Sequence, residues 1–283
     1  MRCRTYLLMI SWGVLFDSAG AAEPPAAVDV PSVLKQAKDY QLRFRDGEPE
    51  VVTEYVSMLE KATTTETGNA DLWHALGSAY VYVAARATLP GGNRADLMLA
   101  MQKGMPALNR ALQINPDHAE SLSLRAGMRA LMGLQMNAPQ MLAQAIADMN
   151  RAIELAPDTV SVRLNRGFGA PVMPEELRNP LNEAADLDFL IERSDWNRAG
   201  NFVTILRADL HFENGELDSA RRLYAMVDSS GAASAAQLAR SRLALLPQGR
   251  DAMMKDIKAL RAVAGGNRCN MCHGREEALA TAR

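Results

Sequence analysis

The octet Trp73-His74-Ala75-Leu76-Gly77-Ser78-Ala79-Tyr80 constrains this chain more than any other stretch. At 3.6 residues per turn, Trp73, Leu76 and Tyr80 share one helical face. Three large side chains on one face demand an apolar partner. Gly77, beside Leu76, removes the side chain that would hold that partner away. A matching helix follows after the loop Leu89-Pro90-Gly91-Gly92-Asn93: Gly104, Leu108 and Ala111 set small against large, and Pro116 closes it. One such pair cannot bury both of its faces, so the pattern calls for stacked copies.

Copies are present. Asn115-Pro116-Asp117 and Ala156-Pro157-Asp158 are turns 41 residues apart. Between them Leu122, Ala126 and Arg129 take the first-helix positions, and Ala145, Met149 and Ala152 the second-helix ones. A third unit runs from Val160 to Gly169, with Gly167 at the close-packing position. It continues through Ala170-Pro171-Val172-Met173-Pro174 into Glu176 to Glu192, where Pro180 must end or kink the first turn. A fourth spans Leu206 to Val227 about an Asn214-Gly215 turn, with Ala208, Ala220 and Tyr224 in register, and Ala232 to Leu246 is a further helix. Ahead of the octet, Val33, Ala37, Tyr40 and Phe44 line one helix, and Val52, Tyr55, Met58 and Leu59 the next.

The spacing W-x-x-L-G-x-x-Y, with its second-helix partner, resembles the tetratricopeptide-repeat family over roughly residues 50 to 246. Two units match well and two are degenerate. The resemblance implies a right-handed superhelix of antiparallel helix pairs whose concave groove takes peptides or protein surfaces. The standard unit is about 34 residues, and the excess here is expected around Met136-Asn137-Ala138-Pro139. One subset of the family grips acidic peptide tails with Lys and Asn. His74 and Ser78 stand at two of those positions, so that specificity is not carried over.

Near the C-terminus, Cys269-Asn270-Met271-Cys272-His273 is a C-x-x-C-H box. Two thiols three residues apart can face the same side of a turn, with an imidazole next to them. This is the local signature of covalent haem c: Cys269 and Cys272 each bond the porphyrin and His273 ligates the iron. The ten residues around it resemble the attachment site of cytochromes c, which implies one covalent haem per chain. A thioredoxin-like disulfide and a structural zinc site are the other readings. The first lacks a surrounding βαβ pattern, and the second lacks a fourth ligand. A sixth iron ligand from this chain would have to come from upstream, where His74, His118, His211, Met253 and Met254 are available. His118 is expected to be a solvent-facing helix start, and the scattered methionines to be packing residues.

Arg2 and Arg4, an apolar run from Tyr6 to Phe16 and the small residues Ala19-Gly20-Ala21 form a secretory leader. Its apolar run is too short for a spanning helix, so membrane contact is expected only by association or through an uncleaved leader. Cys3 would leave with the leader, and both remaining cysteines lie in the box. Export also suits haem c, which is attached outside the cytoplasm.

These readings divide the chain into a signal peptide (1–22), a proline-rich lead-in (23–31), a helix-pair solenoid (32–250) and a C-terminal helix with the box (251–283). The expected fold is all-α, a tetratricopeptide-like helix-pair solenoid with a short haem-binding tail. A net charge of −2, with no basic cluster carrying interleaved aromatics, excludes nucleic acid as a partner. The expected function is a periplasmic monohaem protein that docks a protein partner, such as a redox enzyme or small cytochrome, and supports electron transfer. A non-redox scaffold for an enzyme or transporter complex is the alternative. No enzyme activity is expected, a haem peroxidase or gas sensor being the exception an open iron site would allow.

Overall fold

The computed structural model describes residues 27–45, 48–87, 92–193, 200–227 and 233–259. Twelve α-helices and no strands occur among them. In chain order they are α1 (Val30–Arg45), α2 (Val52–Thr65), α3 (Ala70–Ala87), α4 (Arg94–Ile114), α5 (Ala119–Gln135) and α6 (Pro139–Leu155). They continue as α7 (Val160–Gly169), α8 (Pro180–Ile191), α9 (Gly200–Glu213), α10 (Leu217–Met226), α11 (Ala233–Leu245) and α12 (250–259). Each odd-numbered helix packs against the even one after it. The odd helices also touch one another: α1 meets α3, α3 meets α5, α5 meets α7 and α9 meets α11. The side on which successive helices meet is the side of smaller radius, so the first helices form the inner face of an all-α helix-pair solenoid.

The octet does what its spacing predicts. Leu76 and Tyr80 are buried, and Trp73 packs at the edge of the same core. A Cβ on Gly77 would lie 2.5 Å from Leu108 Cδ2 and 2.6 Å from its Cγ, while one on Gly104 would lie 2.9 Å from Tyr80 Cβ. Each glycine thus admits the large residue of the opposite helix. Overpacking here costs about 1–3 kcal/mol, against roughly 1 kcal/mol that Ala gains over Gly in a helix. Gly77→Ala is expected to lower the urea midpoint, and a midpoint equal to or above wild type would show that Leu108 yields freely.

Three expectations are corrected. The 41-residue unit does not carry its excess in the Met136–Pro139 turn. That turn has only three residues outside the helices, and α5 and α6 are each 17 residues long. An excess of about seven residues over the 34-residue unit is close to two helical turns. One added turn in each helix leaves every apolar position on its face, which an insertion in the turn would not require. The turn itself is tight because Asn137 sits at φ 50° and Ala138 N–H donates back to Gly133 O at 2.8 Å.

Second, Pro180 starts α8 rather than kinking it. Asn179 is its N-cap, the Oδ1 accepting from Leu181 N and Asn182 N at 3.2 Å each. Proline fits the first helical position because its missing N–H has no partner there anyway. Third, helical spacing sets the apolar stripe of α12 at Met254, Ile257, Leu260 and Val263, but the fully buried pair is Met253 and Ile257, with Met254 only packed alongside. Leu260 and Val263 lie outside the described residues.

The apolar core is uneven. One cluster fills α1 to α4 and another fills α7 to α12. Between them a small cluster of Leu112, Leu122, Ala152 and Val162 joins α4 to α7. In this waist, ion clusters occupy first-helix positions that are apolar in the octet. Aligning Gly77, Ala126 and Gly167 puts Arg125 and Arg166 where Leu76 stands, Arg129 where Tyr80 stands, and Arg163 where Trp73 stands. Arg125 grips Asp148 of α6 at 2.7 and 2.8 Å, and Arg129 reaches the same carboxylate at 2.6 Å. Arg163 and Arg166 hold the fully buried Asp186 of α8 at 2.5–2.9 Å.

Candidate functional site

The inner face is cross-linked by polar side chains. Gln41 of α1 donates to Ser78 Oγ of α3 at 3.3 Å. His74 of α3 meets Ser121 Oγ of α5 at 3.1 Å, and Asn165 of α7 donates to Ser123 Oγ of α5 at 2.8 Å. Ser161 at the start of α7 donates to Glu120 of α5 at 2.6 Å. His74 and Ser78, the two positions where a peptide clamp would sit, therefore join neighbouring helices to each other.

His118 is not solvent-facing. It caps α5, its Nδ1 accepting from Ser121 N–H at 3.2 Å, and its side chain is 10% exposed. That bond fixes the proton of the neutral ring on Nε2, which donates to Asp71 Oδ1 at 3.0 Å. The ring stacks on His74 at 4.8 Å between centroids. Burial pushes the His74 pKa down to about 4; a positive charge on His118 adds to this, while Glu120 and Asp71 oppose it. The unfolded chain, with an ordinary histidine near 6.5, binds more protons between these values. Stability is thus complete above about pH 6.5 and falls as pH drops toward 4, by at most about 1.4 kcal/mol per pH unit for one proton. Urea titrations between pH 7.5 and 5 should show this slope and its loss in His74→Gln; an identical slope in the variant would rule His74 out as its source.

A cavity of about 310 Å³ opens in the waist between α5/α6 and α7/α8. Its floor is apolar, from Ala126, Ala130, Ala145, Met149 and Met173. Asn150 and Asn182, both exposed, and the partly buried Asn165 supply amides along its border. The two arginines on its wall are neutralised. Arg166 is held by Asp186, and Arg178 donates to Glu183 at 2.7 Å and Glu213 at 3.2 Å. Gly127 is also part of the lining. It lies in the interior of α5, where glycine gives up about 1 kcal/mol relative to alanine. Unlike Gly77 and Gly104 it admits no neighbour, since a Cβ built on it meets nothing within 4 Å.

Cys269, Cys272 and His273 lie outside the described residues, as do residues 1–22, where a leader is expected. Of the upstream residues expected as candidate iron ligands, His118 uses both ring nitrogens and Met253 is fully buried in the C-terminal core. His211 binds Glu216 through Nδ1. Among the described residues no three His, Cys, Asp or Glu side chains are grouped to hold a metal, and no helix is long and apolar enough to cross a membrane. Sequence reasoning missed the cavity and the buried ion clusters. Two signals pointed to them: arginine at apolar repeat positions, and a helix-interior glycine next to Ala126, which already fills the close-packing position.

No protein-family model matches the sequence, and no curated protein matches it. Among solved structures the chain is similar to a tetratricopeptide repeat protein from Parabacteroides merdae, at a TM-score of 0.50 and 17% identity. The likeness covers 92% of this chain and 86% of that one. At that identity it shows the fold, a helix-pair solenoid, and not the activity.

Proposed function

We propose that this solenoid is an exported scaffold that docks a protein partner and carries one covalent haem c at its C-terminus, supporting electron transfer with that partner. The observation that carries the redox half is the box itself: Cys269 and Cys272 are the only cysteines after Cys3, and His273 follows directly. In attachment each thiol S–H adds across one vinyl C=C of the porphyrin, giving a thioether with no oxidant required. His273 supplies the imidazole for the iron. The docking half rests on the fold, because a stack of helix pairs offers a long continuous surface for its mass. No residue is assigned a catalytic role.

The test is the absorbance spectrum of the exported chain, made in periplasm-competent cells with the haem-maturation machinery, together with haem staining on a denaturing gel. A stained band with reduced α and β bands is expected. A colourless protein from cells that mature a control cytochrome, with a reversible disulfide on thiol titration, would leave a non-redox scaffold. A carbon monoxide shift in the reduced spectrum would reveal an open iron site and favour gas binding or peroxidase chemistry over electron transfer.

A further inference from the structure

We propose that the waist cavity is a binding site for a small uncharged molecule with an apolar body and a carbonyl- or amide-bearing edge. Three observations carry this, none of which involves the haem box. The first is Gly127. A glycine inside a helix is normally kept for close packing or an unusual backbone, and Gly127 has neither reason: its missing side chain faces open space on the cavity lining. A larger residue there would take up that open space, and the glycine leaves it free.

The second is chemical. A pocket of about 310 Å³ with an apolar floor and a few amides at its border has the build of a small-ligand site. Asparagine both donates and accepts, so Asn150 and Asn182 match a carbonyl, amide or hydroxyl equally. Met149 and Met173 give the floor an adaptable shape.

The third is charge. Arg163, Arg166 and Arg178 face Asp186, Glu183 and Glu213 in the ion clusters beside the cavity, three cations against three anions. An anionic ligand would have to compete with carboxylates already 2.5–3.2 Å from these guanidiniums. A neutral ligand leaves the clusters undisturbed.

The experiment is a fluorescence titration of the purified full chain with Nile red, a neutral fused-ring dye bearing a carbonyl. Saturable binding of one dye per chain with blue-shifted emission is expected. Gly127→Leu should weaken it at least tenfold with a melting temperature no lower than wild type. Met226→Ser, an exposed position outside the cavity lining, should leave it unchanged. Two gentler variants guard against a folding defect: Gly127→Ala adds one carbon into open space, and Asn150→Ala alters only an exposed border residue. Each should weaken binding about threefold or more. The proposal is overturned if wild type shows no saturable binding, if affinity survives Gly127→Leu, or if neither gentler variant changes it. It is also overturned if an anionic sulfonate dye displaces Nile red with higher affinity.

Discussion

Asp186→Ala is expected to lower the unfolding free energy by about 3–5 kcal/mol, the range for removing one partner of a buried ion cluster. Asp186 is fully buried and its two oxygens accept from both Arg163 and Arg166, whose side chains are only 16–17% exposed. Without the carboxylate, two guanidiniums of like charge remain side by side with no anion between them. The loss exceeds the worth of the bonds themselves because the cations cannot regain full hydration. Asp188→Ala is the matched comparison two residues along the same helix. It removes a carboxylate that is 51% exposed and bonded to Arg207 at 2.7 Å, a pair worth at most about 1 kcal/mol. Urea unfolding of both variants at neutral pH checks the contrast. Equal losses would mean that burial does not set the strength of these clusters.

The second large effect is all-or-none. Cys269→Ser/Cys272→Ser removes both sulfurs through which haem would be attached. The exported variant is expected to lose haem staining and the reduced α band entirely. Its far-UV circular dichroism and melting curve should stay close to wild type, because the helix-pair cores are built from residues before 258. Staining that persisted in the double variant would sink covalent attachment at this box. Loss of helical signal together with the colour would tie the box to the fold instead.

The helix pairs were legible in the sequence for a specific reason. In the first unit both partners of each contact are written as residue types: Gly77 against Leu108, Gly104 against Tyr80. Such complementarity is local in pattern although distant in sequence. Val160–Gly169 was equally readable, since a proline turn bounds it in front and a proline-rich turn behind. The second and third units looked degenerate because Arg125, Arg129, Arg163 and Arg166 stand at apolar positions. An arginine at such a position reads as a surface residue until the aspartate that buries it is known. Asp148 and Asp186 lie 19 to 23 residues downstream, on the following helix, which only folding brings alongside. His118 was misread for a related reason: a histidine after a Pro-Asp turn looks exposed, and only the approach of α3 brings His74 and Asp71 over it. The cavity leaves one trace in the sequence, Gly127 beside Ala126, because it is the space left where two helix pairs meet over small residues.

The uneven core has a consequence for cooperativity. A stack of helix pairs is held together by nearest-neighbour interfaces, so its unit of unfolding extends only as far as those interfaces are strong. Here two apolar blocks, α1 to α4 and α7 to α12, are joined through a thin apolar seam, while the ion clusters of Asp148 and Asp186 hold helices within a pair, α5 to α6 and α7 to α8. A thin seam buries little apolar surface, so it passes little of either block's stability to the other. The two blocks are therefore separate foldons with a weak coupling term, and amide hydrogens on either side of the waist should exchange with different opening free energies. The same property makes the waist the point at which the superhelix bends most easily.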